Sequence, residues 1–182
     1  MLTPSAFRFC VPESTATENA RSTSILWITG PSADLQQRLK RIEGLPPSIV
    51  LTPHAPADGD ALSGQTLELI ANLIEHRKVR VILVCGHADD VTVRTQHEVR
   101  PRAHGFDSIL QRVGDRAARR QRAQARVCAQ LDLIQSQERV ALALARGEVS
   151  IHGVFYASEC DAFLVYDPAR DQFVSVSEMS PA

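Results

Sequence analysis

Long apolar runs are missing from this 182-residue sequence, and so is a basic segment followed by a continuous apolar one near its start. The longest apolar run, residues 81–85, has the length of a strand, whereas a helix that crosses a bilayer needs about 20 apolar residues. Neither a membrane-spanning helix nor a secretory signal is therefore expected. The predicted location is the cytoplasm.

Cysteine pairs of the C-x-x-C type are also absent. The four cysteines, Cys10, Cys85, Cys128 and Cys160, lie far apart, which argues against a zinc ribbon and against a thioredoxin-like redox site. In a reducing compartment they are expected to be free thiols. The formal net charge of -1 gives no overall preference for nucleic acid or for membranes. Any partner must therefore be inferred from local features.

Short apolar runs alternate with helical patterns over the first half of the chain. Between the runs, leucine and isoleucine recur at helical spacing, and Ser32 and Ser63 stand where a helix N-cap is expected. Almost continuously apolar strands that alternate with helices predict a parallel sheet covered by helices on both faces. The predicted strands are residues 24–29, 48–52 and 79–85, and the predicted helices are residues 32–44 and 62–78.

The second half of the chain is predicted to be helical first and extended afterwards. Residues 88–105 show no clear period and are expected to form a loop with some helix. Residues 106–146 are predicted to be largely helical, with one break near Gly114 and another at 135–137. Three strand-like runs separated by turn residues follow, so the chain should end in extended structure.

The length and the patterns predict one α/β domain, residues 24–182, preceded by an N-terminal arm, residues 1–23. In open parallel sheets, ligands bind at the carboxyl ends of the strands. Gly30, His54 and His87 all fall at or just beyond predicted strand ends. They are the first candidates for a binding pocket.

Residues 125–167 resemble the C-terminal part of the β-class carbonic anhydrases. That family has a helix with a Gln-Leu pair, then a helix that leads into a Gly-x-(Leu/Val)-x-Ile-His-Gly run, and then a strand with a tyrosine. Two earlier stretches, "SILWITG" and "VILVCGH", resemble the strands before the family's Cys-x-Asp-x-Arg and Gly-His motifs. The matching C-terminal positions are Gln130-Leu131, Arg146-Gly147-Glu148-Val149, Ile151-His152-Gly153 and Tyr156.

The resemblance implies a central, mostly parallel sheet flanked by helices, with an added antiparallel C-terminal strand, built into homodimers or larger homo-oligomers. It also implies a zinc site made of two cysteines and one histidine, in which zinc lowers the pKa of bound water to about 7. In the family's Cys-x-Asp-x-Arg motif this chain has Gly30, Ser32 and Asp34. In the Gly-His-x-x-Cys motif it has His87 followed by Asp90. Both cysteines and the Asp-Arg dyad are replaced.

From these replacements we expect no bound zinc and no CO2 hydration. The protein would then be a binding, regulatory or assembly component, with no cofactor. The alternative is an enzyme with a rebuilt divalent-metal site of His87, Asp90 and His54, with Asp89 as a further candidate; histidine and carboxylates suit zinc, manganese or iron. His54 lies in residues 53–57, which correspond to the family's Arg-Asn-Ala-Gly-Asn loop. Such a site could hydrate CO2 or hydrolyse a related small electrophile.

Other candidate residues have simpler interpretations. Cys85 is expected to be a buried small hydrophobe because it lies on a strand and not in the loop after it. His152, in the Ile-His-Gly run, is expected to be packed and hydrogen-bonded, whereas His97 and His104 lie in polar surroundings and should be solvated.

One basic segment stands out in a nearly neutral chain. It could bind a polyanion, or it could be a solvated helix face that forms ion pairs, also across an oligomer interface. Because no aromatic residues are interleaved for base stacking, nucleic acid is not an expected partner. The segment contains Arg112, Arg116, Arg119, Arg120, Arg122 and Arg126, with Asp115 as the one acidic residue among them.

Overall fold

The computed structural model of the chain describes residues 24–40, 48–53, 62–88 and 106–175, and the statements below concern these ranges. The N-terminal arm and almost all of the loop predicted at 88–105 lie outside them. Within them the chain forms six strands and four helices. In chain order the elements are β1 (Ser24–Thr29), α1 (Ala33–Lys40), β2 (Ser48–Leu51), α2 (Gly64–Arg77), β3 (Val79–His87), α3 (Phe106–Ser136), α4 (Glu138–Ala145), β4 (Ser150–Ala157), β5 (Ala162–Asp167) and β6 (Gln172–Ser175).

The described strands form one sheet in the order β2-β1-β3-β4-β5-β6. The first four strands of this order are parallel, and β5 and β6 are antiparallel to their neighbours. The predicted α/β class with a mostly parallel sheet is therefore confirmed. The resemblance implied one added antiparallel strand, and the structure has two.

Apolar side chains cover both faces of the sheet, which explains why the central strands are almost continuously apolar. On one face, Leu26 and Ile82 pack in a cluster with residues of α2, α3 and α4. On the other face, Trp27 and Leu83 pack with Leu35 of α1 and with residues of β4 and β5. Because β-strand side chains alternate between faces, neighbouring residues of β1 and β3 enter different clusters.

Helix starts are set by local side-chain caps. The Ser63 Oγ accepts a hydrogen bond from the Thr66 N–H at 3.2 Å, which confirms the predicted N-cap of α2. The Gln137 Oε1 accepts one from the Val140 N–H at 2.8 Å and begins α4. The break predicted at 135–137 is thus confirmed, since the long helix ends at Ser136 and Gln137 caps the start of the next one.

The break predicted near Gly114 is wrong, since α3 runs through this position without interruption. Gly114 is exposed, and a Cβ built on it would meet nothing within 4 Å. Glycine costs only about 1 kcal/mol relative to alanine inside a helix. The surrounding arginine, alanine and glutamine residues favour helix strongly enough to offset that cost.

Two glycines allow α3 to pack closely on the sheet. A Cβ on Gly86 of β3 would lie 2.6 Å from the Val127 Cγ2, and a Cβ on Gly153 of β4 would lie 2.9 Å from the Leu131 Cδ1. At distances this short a neighbouring atom must shift, so a larger residue at either position would disturb the packing of α3 on the sheet. The glycines of the Gly-His and Ile-His-Gly runs therefore have a packing role.

None of the helices in the described ranges is both long enough and apolar enough to cross a membrane.

Candidate functional site

The carboxyl ends of the parallel strands bring together residues from separate parts of the chain. Gly30 follows β1, Thr52 follows β2, and His87 is the last residue of β3. The prediction that Gly30 and His87 lie at this edge is confirmed. His54, Asp89 and Asp90 lie outside the described residues, so their placement stays a prediction.

His87 lies on β3 itself, two residues beyond the predicted strand end. The strand continues because Gly86 pairs with Phe155 and His87 pairs with Tyr156 of β4. The His87 residue is buried, with 5% of its surface exposed. Since alternate residues of a strand share a face, His87 and Cys85 project from the same side of the sheet.

Cys85 is a buried residue of the apolar cluster that contains Trp27 and Leu83, as predicted. Burial raises the pKa of its thiol far above the usual range. Because a cysteine binds metal as the thiolate, this environment disfavours Cys85 as a ligand even though it shares a face with His87.

The residues directly after β1 form hydrogen bonds with their near neighbours in the sequence. The Gly30 carbonyl oxygen accepts from the Thr29 Oγ1 at 2.7 Å and from the Ser32 N–H at 2.9 Å. The Ser32 Oγ accepts from the Leu35 N–H at 3.3 Å, so Ser32 caps α1 as predicted. Asp34 lies in the first turn of this helix. Gly30 has no side chain to offer, and the Ser32 side chain holds the helix start.

A polar cluster that no motif in the sequence marks lies beside His87. Tyr156, the β4 partner of His87, donates a hydrogen bond to the Asp161 Oδ1 at 2.9 Å. Arg38 of α1 forms an ion pair with Asp161, and its guanidinium carbon lies 5.4 Å from the centre of the Tyr156 ring. We call these three residues the Arg38–Tyr156–Asp161 cluster.

The cluster keeps a charged carboxylate at the carboxyl edge of the sheet, bound to the β4 partner of His87. The hydrogen bond from Tyr156, with a further contribution from Arg38, holds the pKa of Asp161 below its usual range. Tyr156 is itself buried and packs on the Phe163 ring at a centroid distance of 5.1 Å. Arg38 and Asp161 are far apart in sequence, so no local pattern could have revealed their pairing.

A second polar link joins α1 to the end of β2. The Gln36 Nε2 donates to the Thr52 Oγ1 at 3.0 Å. Together with the ion pair of Arg38, this bond joins α1 to the end of β2 and to the turn before β5. Gln36 and Thr52 are 16 residues apart, so no local sequence pattern marks this pair either.

The residues described at this edge do not fit the zinc site that the resemblance implies. A catalytic zinc site needs about three protein ligands, usually histidine, cysteinate or carboxylate. In the described ranges, no group of three histidine, cysteine, aspartate or glutamate residues is placed to hold a metal ion. The residue at the first cysteine position is Gly30, and Cys85 is kept as a neutral thiol by burial.

His152 lies in the middle of β4, opposite Leu83 of β3. Its ring is packed as predicted, but its Nε2 is buried and has no hydrogen-bond partner among the described residues. Burial lowers the pKa of His152 below its usual value of 6.5. The neutral imidazole is therefore the form that the fold accommodates.

His152 should make folding stability depend on pH. Because its pKa is lowered in the folded state, its contribution is complete above about pH 6.5 and is lost as the pH falls from there through the folded pKa. Urea unfolding measures the free energy of unfolding at pH 7.5 and at pH 5.5. Between these two values, His152→Gln should lose less of this free energy than the unmodified protein does. The exposed His76 provides the matched control, His76→Gln. An equal loss in all three proteins would contradict the prediction.

The basic segment lies on α3, and part of it forms ion pairs within the chain. The Arg120 Nη1 lies 3.2 Å from the Glu159 Oε1, and the Arg116 Nη2 lies 3.6 Å from the Glu159 Oε2. The Arg120 guanidinium carbon also lies 5.6 Å from the centre of the Phe155 ring. These contacts support the interpretation as an ion-pairing helix face, and they reduce the charge available to a polyanion.

Comparisons with known proteins support the same architecture. Neither a family model nor a curated protein matches the sequence. Solved structures do match: the β-carbonic anhydrase CcaA has a TM-score of 0.58 at 17% identity, over 90% of this chain and 87% of that chain. One of two tetrameric β-carbonic anhydrases from the filamentous ascomycete Sordaria macrospora has a TM-score of 0.58 at 18% identity, over 87% of this chain and 85% of that chain.

A third match is the Coccomyxa β-carbonic anhydrase in complex with acetazolamide, with a TM-score of 0.54 at 18% identity over 83% of this chain and 76% of that chain. The chain is thus an α/β protein with the β-carbonic-anhydrase-like fold. The resemblance inferred from the sequence is confirmed as a likeness of fold. At such identities the activity has to be inferred from the site itself.

Proposed function

We propose that this protein uses the β-carbonic-anhydrase-like fold without thiolate-bound zinc, does not hydrate CO2, and acts as a binding, regulatory or assembly component. The observation that carries the proposal is the segment after β1. Gly30 stands where the resemblance places a cysteine, and the Ser32 side chain caps α1 at 3.3 Å from the Leu35 nitrogen. Two elements of the implied chemistry are therefore replaced by residues with other roles.

The candidate pocket, by which we mean the carboxyl edge of the sheet around His87, contains groups suited to recognition. His87 is buried at the strand end, and the Arg38–Tyr156–Asp161 cluster lies on the same side of the sheet. Hydrogen-bonding groups held by packing and by ion pairs are the usual means by which a pocket orients a small ligand. We propose that a ligand is bound here by hydrogen bonds and not by a metal.

A rebuilt divalent-metal site is the second candidate, and the position of His87 favours it. His87 lies at the carboxyl edge of the sheet, where ligands of parallel sheets collect. The other proposed ligands would be Asp90 and His54. In this case the protein would be a metal-dependent lyase or hydrolase.

Metal analysis followed by an activity assay distinguishes the two candidates. Protein purified without added metal should contain no stoichiometric metal, and CO2 hydration measured by stopped flow on the same sample should stay at the uncatalysed rate. Stoichiometric metal together with hydration above background would overturn the first proposal. The second candidate then requires that His87→Ala removes both, while His76→Ala, a change of an exposed histidine, removes neither.

We further propose that the protein forms homodimers or larger homo-oligomers in the cytoplasm. The support is the fold and the description of the Sordaria macrospora enzymes as tetrameric. Light scattering coupled to size-exclusion chromatography measures the mass directly. A monomeric mass at every concentration tested would contradict the oligomer proposal and would leave the metal proposal intact.

A further inference from the structure

A cavity of about 390 Å³ lies at the amino end of the sheet. Its walls come from the ends of α2 and α4, the start of β3 and the segment before β4. His87 is at the other end of β3, about 26 Å away at a strand rise of about 3.3 Å per residue. The volume lies within the range of small-molecule pockets, which is about 300 to 1,000 Å³.

One part of the cavity wall is apolar. Ala71, Ile74 and Ala143 are buried residues of the core and line the cavity. Leu142 also lines it, but 50% of its surface is exposed. A half-exposed leucine beside a buried apolar wall offers surface that an apolar group of a ligand can cover.

Another part of the wall is held in place by Arg139. This side chain donates hydrogen bonds to the Glu75 Oε1 at 2.9 Å, the Glu68 Oε2 at 3.0 Å and the Asn72 Oδ1 at 3.1 Å. The bonds join α4 to α2, and both Arg139 and Glu75 line the cavity. Arg139 also holds the pKa of Glu75 below its usual range, so the charge of Glu75 is already compensated.

Three further basic side chains line the cavity. The Arg80 Nη1 donates to the Glu148 carbonyl oxygen at 2.8 Å, which orients its guanidinium. Lys78 and Arg146 form no ion pair with any carboxylate in the described part of the chain. The Glu148 carboxylate is the remaining acidic group of the wall. The lining therefore has an excess of positive charge beside its apolar surface.

Lys78 has an unusual backbone conformation. It follows the last residue of α2 with φ 51° and ψ 38°, in the left-handed region that favours glycine. A cation at a helix C-terminus is stabilised by the helix dipole, and this accounts for the charge of Lys78. It does not account for Arg80 on a strand or for the exposed Leu142 in the same cavity.

From the volume, the apolar wall and the basic side chains, we infer that this cavity binds a small organic anion. Its phosphate or carboxylate group is bound by Lys78, Arg80 and Arg146, and its compact apolar group covers Leu142. Charge-assisted hydrogen bonds to an anion are stronger than neutral ones, and they fix its orientation. The site is independent of the candidate pocket at the carboxyl edge.

Phenyl phosphate is a suitable probe, with inorganic phosphate and phenol as its two halves and benzoate as the carboxylate counterpart. Calorimetry should show saturable binding of phenyl phosphate or benzoate that is tighter than that of either half, and amide NMR shifts should change around Leu142. Lys78→Gly and Arg146→Gln should each weaken binding about tenfold, since each removes a charged hydrogen-bond donor. Glu148→Gln should strengthen binding.

The Lys78→Gly variant shows whether weaker binding comes from the lost lysine or from a less stable fold. Glycine favours the left-handed conformation, so the melting temperature of this variant should equal or exceed that of the unmodified protein while binding weakens. Arg122→Gln, a change of an exposed arginine on α3, makes the same charge change elsewhere. The proposal is overturned by absent saturable binding, by unchanged binding in Lys78→Gly and Arg146→Gln, or by equal weakening in Arg122→Gln.

Discussion

Gly86→Ala should destabilise the protein by about 1 to 3 kcal/mol, the usual cost of overpacking a core. The new methyl group would lie 2.6 Å from the Val127 Cγ2 and 3.3 Å from the Ala123 carbonyl oxygen. Val127 is β-branched and therefore stiff, and the carbonyl belongs to the helix backbone, so neither can easily move away. Urea unfolding followed by circular dichroism measures the change in free energy.

A double-mutant cycle tests whether this contact is the cause. Val127→Ala removes the methyl group that the new Cβ meets, so the double variant should lose less stability than the two single changes added together. Gly114→Ala is the matched control, because its Cβ would meet nothing within 4 Å. It should stabilise α3 by about 0.5 to 1 kcal/mol. Additive losses in the cycle would show that the contact with Val127 is not the cause of the destabilisation by Gly86→Ala.

Gly30→Cys combined with Asp90→Cys should create a zinc site with His87. The two changes restore the ligand types that the resemblance implies, at positions matching its two motifs. Among the described glycines, only Gly147 has a positive φ. Gly30 therefore does not have the left-handed conformation, which would be strained in a cysteine. Structural zinc sites bind with apparent free energies of about 10 to 16 kcal/mol at neutral pH, so even an imperfect site should be measurable.

The readouts are the zinc content after dialysis and a melting temperature that rises with added zinc. Adding His87→Ala to the two-cysteine protein should weaken zinc binding, because it removes one of three ligands. A folded two-cysteine variant that holds no more zinc than the unmodified protein would show that the two motif positions do not converge here. That result would also weaken the comparison of this pocket with the zinc site of the β-class enzymes.

Much of the secondary structure was predictable because its determinants are local. The run at residues 24–29 has the bounds of β1, and the caps at Ser32 and Ser63 act within four residues of themselves. The end of β3 was misplaced by two residues because pairing with β4, far away in the chain, extends it to His87. Gly114 misled the prediction because glycine marks a break only where the backbone turns.

The candidate site was predictable only in part. The strand-end positions of Gly30 and His87 followed from the order of apolar runs. The role of the Gly86 position, under Val127 of α3, depends on how a helix crosses the sheet and has no local pattern. The Arg38–Tyr156–Asp161 cluster was missed for the same reason, since its members come from α1, β4 and the turn before β5.

The sequence by itself determined the α/β class, the helix starts and the absence of cysteine from the two motif positions, because these depend on residue identity and on near neighbours. Tertiary structure alone decided which side chains share a pocket. It placed Arg38 against Asp161 at one end of the sheet and Lys78, Arg80 and Arg146 around a cavity at the other. Contacts between distant parts of a chain form only when the sheet assembles, so their chemistry cannot be read from local periodicity.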